Sequence, residues 1–197
     1  MFKHILLYLQ CYKSILNIKN MSNQGKWILD PMHSEVQFKV KHLVISTVTG
    51  TFKVVEGSLN TTTEDFSAAD VEFSIDVNSI DTNQTDRDNH LKSADFFNAE
   101  EFPAIKFKST SFTKAGDDYN LEGNLTIKDI TKPVSLAVEF GGIATDFYGN
   151  VKAGFEVTGK INRKEFGLVW DGITEAGSIV VGEDIKLAIN VQFAKQA

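Results

Sequence analysis

The sequence predicts an all-β protein, an eight-stranded antiparallel β-barrel crossed at one end by a short helical lid around residues 85–97. Three observations predict it. Apolar residues recur at every second position in about eight short segments, the pattern of strands with one buried and one wet face. Short turn-forming groups, such as Gly116-Asp117-Asp118, Lys128-Asp129, Gly141-Gly142 and Tyr148-Gly149-Asn150, separate these segments. One long stretch, Thr85 to Phe97, breaks the rhythm with a cluster of charges and a Phe-Phe pair.

Taken in order, Ser34–His42 alternates Val36, Phe38 and Val40 with Glu35, Gln37, Lys39 and Lys41. The same alternation runs through Ala69–Val77, Tyr119–Ile127, Ala153–Ile161 and Ile185–Phe193, and more weakly through Ala104–Phe112 and Val134–Phe140. In Thr51–Leu59 the apolar phase switches between Val54 and Val55, which predicts a bulge near Gly57. Eight antiparallel strands make a sandwich or a closed barrel. Closure removes exposed edges, and a barrel of this size is either filled by side chains or holds one small ligand. The inward phase carries Phe38, Phe52, Phe73, Phe107, Phe140, Phe155 and Phe193. Together with the irregular stretches 85–97 and 163–184, they favour a barrel with an apolar cavity and loops over its mouth.

The lid has its own logic. Thr82 or Thr85 can cap a helix whose first turn carries Asp86 and Asp88, favourable at the positive end of the helix dipole. Phe96 and Phe97 then point at something apolar, and Phe102-Pro103 returns the chain to an extended path.

Composition sets the outer bounds. The chain has 197 residues, 42% apolar and 23% charged, consistent with one globular domain over residues 21–197. Residues 1–20 read as an N-terminal extension, a mis-assigned start or a weak export signal, since the apolar run Ile5–Leu9 is short and no small-x-small cleavage site follows. Starting near Met21 would favour the cytoplasm and an export signal the periplasm. The run is also far too short to span a bilayer, so the chain does not read as an integral membrane protein. Net charge is −6, and setting aside Lys3, Lys13 and Lys19 leaves −9 on the remainder, which argues against nucleic acid as a partner. The single Cys11 excludes a disulfide framework.

The polar residues give little purchase for catalysis or metal binding. His33, His42 and His90 fall on different elements with no metal-ligand spacing, so no metal site is expected. Asp81-Thr82-Asn83-Gln84-Thr85 opens like a calcium loop but has Asp86 where glycine is needed and Lys92 where glutamate is needed. No Gly-x-Ser-x-Gly elbow exists. No catalytic residue is assigned, with a hydrolase or isomerase using His90 and Asp86 or Asp88 kept as the alternative. The two arginines, Arg87 and Arg163, stand against eighteen lysines, each in an irregular segment. A guanidinium offers a planar fork for a carboxylate or phosphate, and it can equally form a structural pair, as Arg163 could with Glu165 or Asp171.

The candidate cavity wall is therefore Phe38, Val40, Phe52, Phe73, Ile75, Phe107, Leu125, Leu136, Val138, Phe140, Phe155, Val157, Leu168, Trp170, Ile189 and Val191. The candidate lid or head-group residues are Arg87, His90, Phe96, Phe97 and Arg163. Phe147, Tyr148 and Trp170 are apolar loop residues without an assigned partner, which leaves room for a homodimer.

A set of ordered fragments resembles the YceI-like family. They are Asp30-Pro-Met-His-Ser34, Val40-Lys-His-Leu43, Gly50-Thr-Phe52, Thr85 through Phe97 and Pro103 through Ser109. Further on come Gly123 through Val134, Ala153-Gly154, Ile161 through Gly167 and Val181-Gly-Glu183. The resemblance covers residues 27 to 194. It implies a lipocalin-like barrel that binds an isoprenoid lipid, of polyprenyl phosphate or isoprenoid quinone type, to carry or sequester it without a catalytic step. A bound isoprenoid and no catalytic cofactor are then expected. A stress-response module with a filled barrel is the remaining alternative. Asp129 departs from the family's usual glycine, in a turn that Asp tolerates.

Overall fold

The computed structural model describes residues 23–172 and 180–196; the proposed extension at residues 1–20 lies outside them. Eleven strand segments form one antiparallel sheet that closes on itself. In chain order they are β1 (Gly25–Leu29), β2 (Glu35–His42), β3 (Ser46–Phe52), β4 (Val55–Thr61), β5 (Asp70–Asp76) and β6 (Ile80–Asp81). After the helix α1 (Thr85–Lys92) come β7 (Ala104–Ala115), β8 (Asp118–Ile127), β9 (Ile130–Thr145), β10 (Val151–Asn162) and β11 (Val181–Lys195).

Three interruptions reconcile the eleven segments with the eight strands of a closed barrel. β1 and β2 follow each other along one edge of β11, Leu29 opposite Phe193 and Glu35 opposite Asn190. β3 and β4 likewise continue one another against β2 and β1, and β6 and β5 against β3 and β4. The ring then runs through β7, β8, β9 and β10 to β11, which returns to β1. The lid leaves at the end of the third of these interrupted strands, after β6.

The apolar phase switches where expected, Val54 being exposed and Val55 buried at the break between β3 and β4, but no bulge falls near Gly57, which pairs regularly with Phe73. The turn at Lys128-Asp129 forms as expected between the paired Ile127 and Ile130, but Lys128 takes the positive φ of 56°. The helix is capped by Gln84, whose side-chain oxygen accepts from the Arg87 amide, rather than by Thr82 or Thr85.

The β1–β2 break is held by Asp30. Its Oδ2 accepts from Lys152 Nζ at 2.8 Å and lies 3.0 Å from His33 Nδ1, while Oδ1 accepts from the Met32 amide at 3.1 Å. The Lys152 hydrogen bond, opposed by burial and aided by His33 and Met32, lowers the Asp30 carboxyl from 3.8 to about 2. A folded-state value below the unfolded one gives stabilisation that is complete above pH about 4 and vanishes as the pH falls through about 2. Asp30→Asn should therefore cost at most about 2 kcal/mol at neutral pH. Thermal melts from pH 7 down to 2 would test it: the gap between the variant and the parent should close only below pH 4.

Two layers fill the barrel differently. Around the end that carries Lys195, rings pack tightly: Trp27–Phe66 centroids lie 5.3 Å apart, Phe66–Phe155 5.4 Å, Phe140–Phe155 5.2 Å and Phe112–Tyr119 4.7 Å. Phe66 comes from the β4–β5 loop and is 1% exposed with φ at 60°, a strained backbone offset by burial of the ring. The loop is tied down by the Tyr119 hydroxyl, which donates to the Asp65 carbonyl, and by the Ala68 amide bonded to Phe112 O at 2.8 Å. This end of the barrel is sealed.

Candidate ligand cavity

Above that floor the barrel is hollow. A cavity of about 200 Å³ runs up to the lid, walled by inward residues of the strands and closed by Leu91, Phe96 and Phe97. Of the residues expected in the wall, Phe38, Val40, Phe52, Phe73, Ile75, Phe107, Leu125, Leu136, Val138, Phe155, Val157, Leu168, Ile189 and Val191 line it. Phe140 does not: it belongs to the aromatic floor, packed on Phe66 and Tyr119. Nor does Trp170, which lies outside the wall and buttresses the lid, its ring 4.9 Å from His90 and 5.3 Å from Phe96. Sequence reasoning missed Leu91, whose helix has no apolar periodicity, and Leu59, Ile161, Ile185 and Leu187, which sit on the inward phase of strands already recognised.

Three of the inward rings lie flat against the wall because glycines on neighbouring strands make room for them. Phe38 covers Gly50, Phe73 covers Gly57 and Phe107 covers Gly123; a Cβ at Gly57 would meet the Phe73 ring at 2.8 Å. Gly57→Val should push that ring into the lumen. The expected result is a loss of about 1–3 kcal/mol in denaturant unfolding, typical of overpacking, together with a smaller cavity in the crystal structure.

The wall is hydrocarbon. Among the described residues, Gln37, in the outward phase of β2, and Arg163 are the only lining residues with polar side chains. Arg163 is 2% exposed, and all of its N–H groups are engaged. Nε donates to Gly182 O at 2.9 Å, Nη1 to Leu168 O and to Trp170 O at 2.9 Å, and Nη2 to Val181 O at 3.1 Å and Asp171 Oδ1 at 2.5 Å. One guanidinium thus staples residues 168–171 to the start of β11, with Asp171 as its acid rather than Glu165. Lys164 extends the cluster to Asp171 at 2.7 Å and Glu183 at 2.9 Å. The Lys164 ammonium, and then Arg163, hold the Asp171 carboxyl below its ordinary value, and Asp171 and then Glu183 raise Lys164.

Arg87 is committed to the neck of the lid. Its Nε and Nη2 donate to Thr82 Oγ1 and O, each at 2.7 Å, and the Thr82 amide donates to Asp88 Oδ1 at 2.9 Å. His90 Nε2 lies 3.0 Å from Asp95 Oδ2. The structure does not pair His90 with Asp86 or Asp88: its acid is Asp95, and Asp88 is held by Thr82. His33 sits outside the barrel on Asp30, and among the described residues no three His, Cys, Asp or Glu side chains converge as a metal site would require. No described helix is long and apolar enough to cross a membrane.

A family model for the YceI-like domain matches residues 27–193. The protein YceI of Salmonella newport (strain SL254) is 39% identical over 164 residues, which is 83% of either chain. A crystal structure of a Campylobacter jejuni YceI protein superposes with a TM-score of 0.67 at 32% identity, covering 80% of this chain and 90% of that one. A polyisoprenoid-binding domain from Saccharophagus degradans shares the fold at 14% identity, with a TM-score of 0.61 over 86% of this chain and 98% of its own. A barrel closed by eight antiparallel strands, the lid motif at 85–97 and this span of similarity lead to one conclusion: the chain belongs to the YceI-like family.

Proposed function

We propose that the barrel binds the apolar tail of an isoprenoid lipid and carries or stores it without chemical change. One observation carries this reading: a preformed cavity of about 200 Å³ whose wall offers hydrocarbon and no free polar group. Each methylene transferred from water to such a wall gains ~0.8 kcal/mol, so a chain of a few isoprene units outweighs the cost of association. The polyisoprenoid-binding domain of Saccharophagus degradans, a neighbour in fold, supports the choice of ligand class.

The donors at the mouth favour a neutral head group of quinone type over a phosphate. A guanidinium fork is the strongest phosphate ligand a side chain offers, whereas Arg163 is fully occupied by protein acceptors and Arg87 is turned onto Thr82. The apolar wall supports a binding role, since among the described residues no acid, base or nucleophile lines the lumen. A module acting through a filled barrel fits poorly with an open interior.

Native mass spectrometry after purification in mild buffer is the test. A co-purifying lipid of isoprenoid mass, released on denaturation, is expected. A barrel recovered empty from every preparation, and inert to added isoprenoid quinone, would end the proposal.

A further inference from the structure

The β2–β3 turn breaks two habits of soluble proteins. Leu43, Val44 and Ile45 form a three-residue loop between the paired His42 and Ser46, where Gly, Asn and Asp are favoured. Leu43 and Val44 have φ of 51° and 65°, left-handed backbone that is a true outlier for a β-branched residue. Val44 and Ile45 are also 78% and 86% exposed. Nothing in the barrel interior requires either feature, and strain combined with apolar exposure points to contact with something outside.

The tip stands on the cavity rim. The Leu43 amide donates to Val180 O at 2.9 Å, and His42 pairs with Val181, which lines the cavity. Because Arg163 binds carbonyls of both Val181 and Trp170, Val169, 61% exposed, emerges from the same rim.

Behind the tip, the outer face of a protein of net charge −6 is basic. Lys186 lies directly opposite Lys39 on β2 and Lys160 on β10, and Lys41 follows Lys39 on the outward phase. Like charges across strands oppose pairing. Lys160 is neutralised by Asp184 at 3.0 Å. Lys39, Lys41 and Lys186 make no ion pair among the described residues.

We propose that this rim docks on an anionic lipid bilayer, with the Val44–Ile45 tip and Val169 entering the acyl boundary while Lys41, Lys39 and Lys186 meet the phosphate layer. At about 3.3 Å per residue, Lys41 and Lys39 trail the tip by roughly 7 and 13 Å. With the tip sunk roughly 5 Å, their long side chains reach a headgroup region about 5–8 Å deep. A protein partner is disfavoured by size, since one hairpin tip and a valine fall far short of the ~800 Å² a stable interface takes from each side. Docking here sets the lid and mouth against a source of apolar ligand. The purpose of the surface rests on the lipid-binding reading; its test does not.

The experiment is co-sedimentation of the full chain with phosphatidylcholine vesicles, with and without phosphatidylglycerol. Binding to the anionic vesicles, weakening as salt screens the lysines, is expected. Val44→Asn with Ile45→Ser should reduce it at least tenfold while the thermal midpoint does not fall, because Asn accepts left-handed backbone. Lys39→Glu with Lys186→Glu should lose binding to anionic vesicles and with it the salt dependence. Wild-type protein that ignores phosphatidylglycerol vesicles overturns the proposal. So does a tip variant that binds like the parent, or one whose only change is the dissolution of a dimer. Native mass spectrometry of the wild-type protein, set beside its vesicle binding, separates the two readings. Retained lipid without any wild-type vesicle binding sinks docking alone, whereas an empty barrel that still binds vesicles sinks only the cavity ligand.

Discussion

Arg163→Met should destabilise the barrel by about 3–5 kcal/mol, the cost of removing one partner from a buried, hydrogen-bonded charge cluster, and lower the thermal midpoint by roughly 10 °C. Methionine fills much of the space of the arginine stem, so the loss is not one of volume. It comes from the carbonyls of Leu168, Trp170, Val181 and Gly182 and the Asp171 carboxylate, which lose their shared donor together. Arg163→Lys should recover only a minor part, because an ammonium has three donors on one atom where the fork presents five in a plane. Urea unfolding of the three proteins checks the order. If the lysine variant matches the parent, the geometry of the fork is irrelevant and the staple account is wrong. The same variants should bind ligand weakly, since the staple fixes Leu168 in the wall and Trp170 against the lid.

The second large effect belongs to Ile189→Trp. Ile189 faces the lumen between Val157 on β10 and Val36 on β2. An indole there occupies space meant for ligand. If it evicts one five-carbon isoprene unit, binding loses about 4 kcal/mol at ~0.8 kcal/mol per carbon, close to a thousandfold in Kd. Stability should change by less than about 1.5 kcal/mol, because the new atoms enter a void and regain contacts there. Paired titrations with an isoprenoid quinone and denaturant melts would read both quantities. An undiminished affinity in the tryptophan variant would place the ligand elsewhere.

What the sequence revealed and what it hid follow from what a period can encode. Alternation at two marks which side of a wall a residue faces, so Phe38, Phe73, Val157 and Ile189 were legible as lumen-facing. It does not encode height along the barrel, and for that reason Phe140 was assigned to the cavity when it lies in the floor. Loop residues have no period at all. Phe66 closes the far end from such a loop, and its only mark in the sequence is a lone aromatic inside Thr61-Thr62-Thr63-Glu64-Asp65-Phe66-Ser67. The rarity of arginine did single out two anchor points. Which acceptors they serve depends on carbonyls brought together by the fold, eighteen or nineteen residues away in the case of Val181 and Gly182. The breaks at Pro31–His33 and Val77–Ser79 were hidden because each is a turn of three residues capped by an aspartate side chain, too short to look like a loop.

The Phe66 stopper gives the barrel a traffic rule. A sleeve open at both ends could take a new molecule in behind the departing one; a blind one must discharge completely before it reloads. On the lipid-carrier reading, every handover therefore passes through an empty protein, and the turnover of cargo reaches a plateau set by departure alone, however many acceptors wait outside.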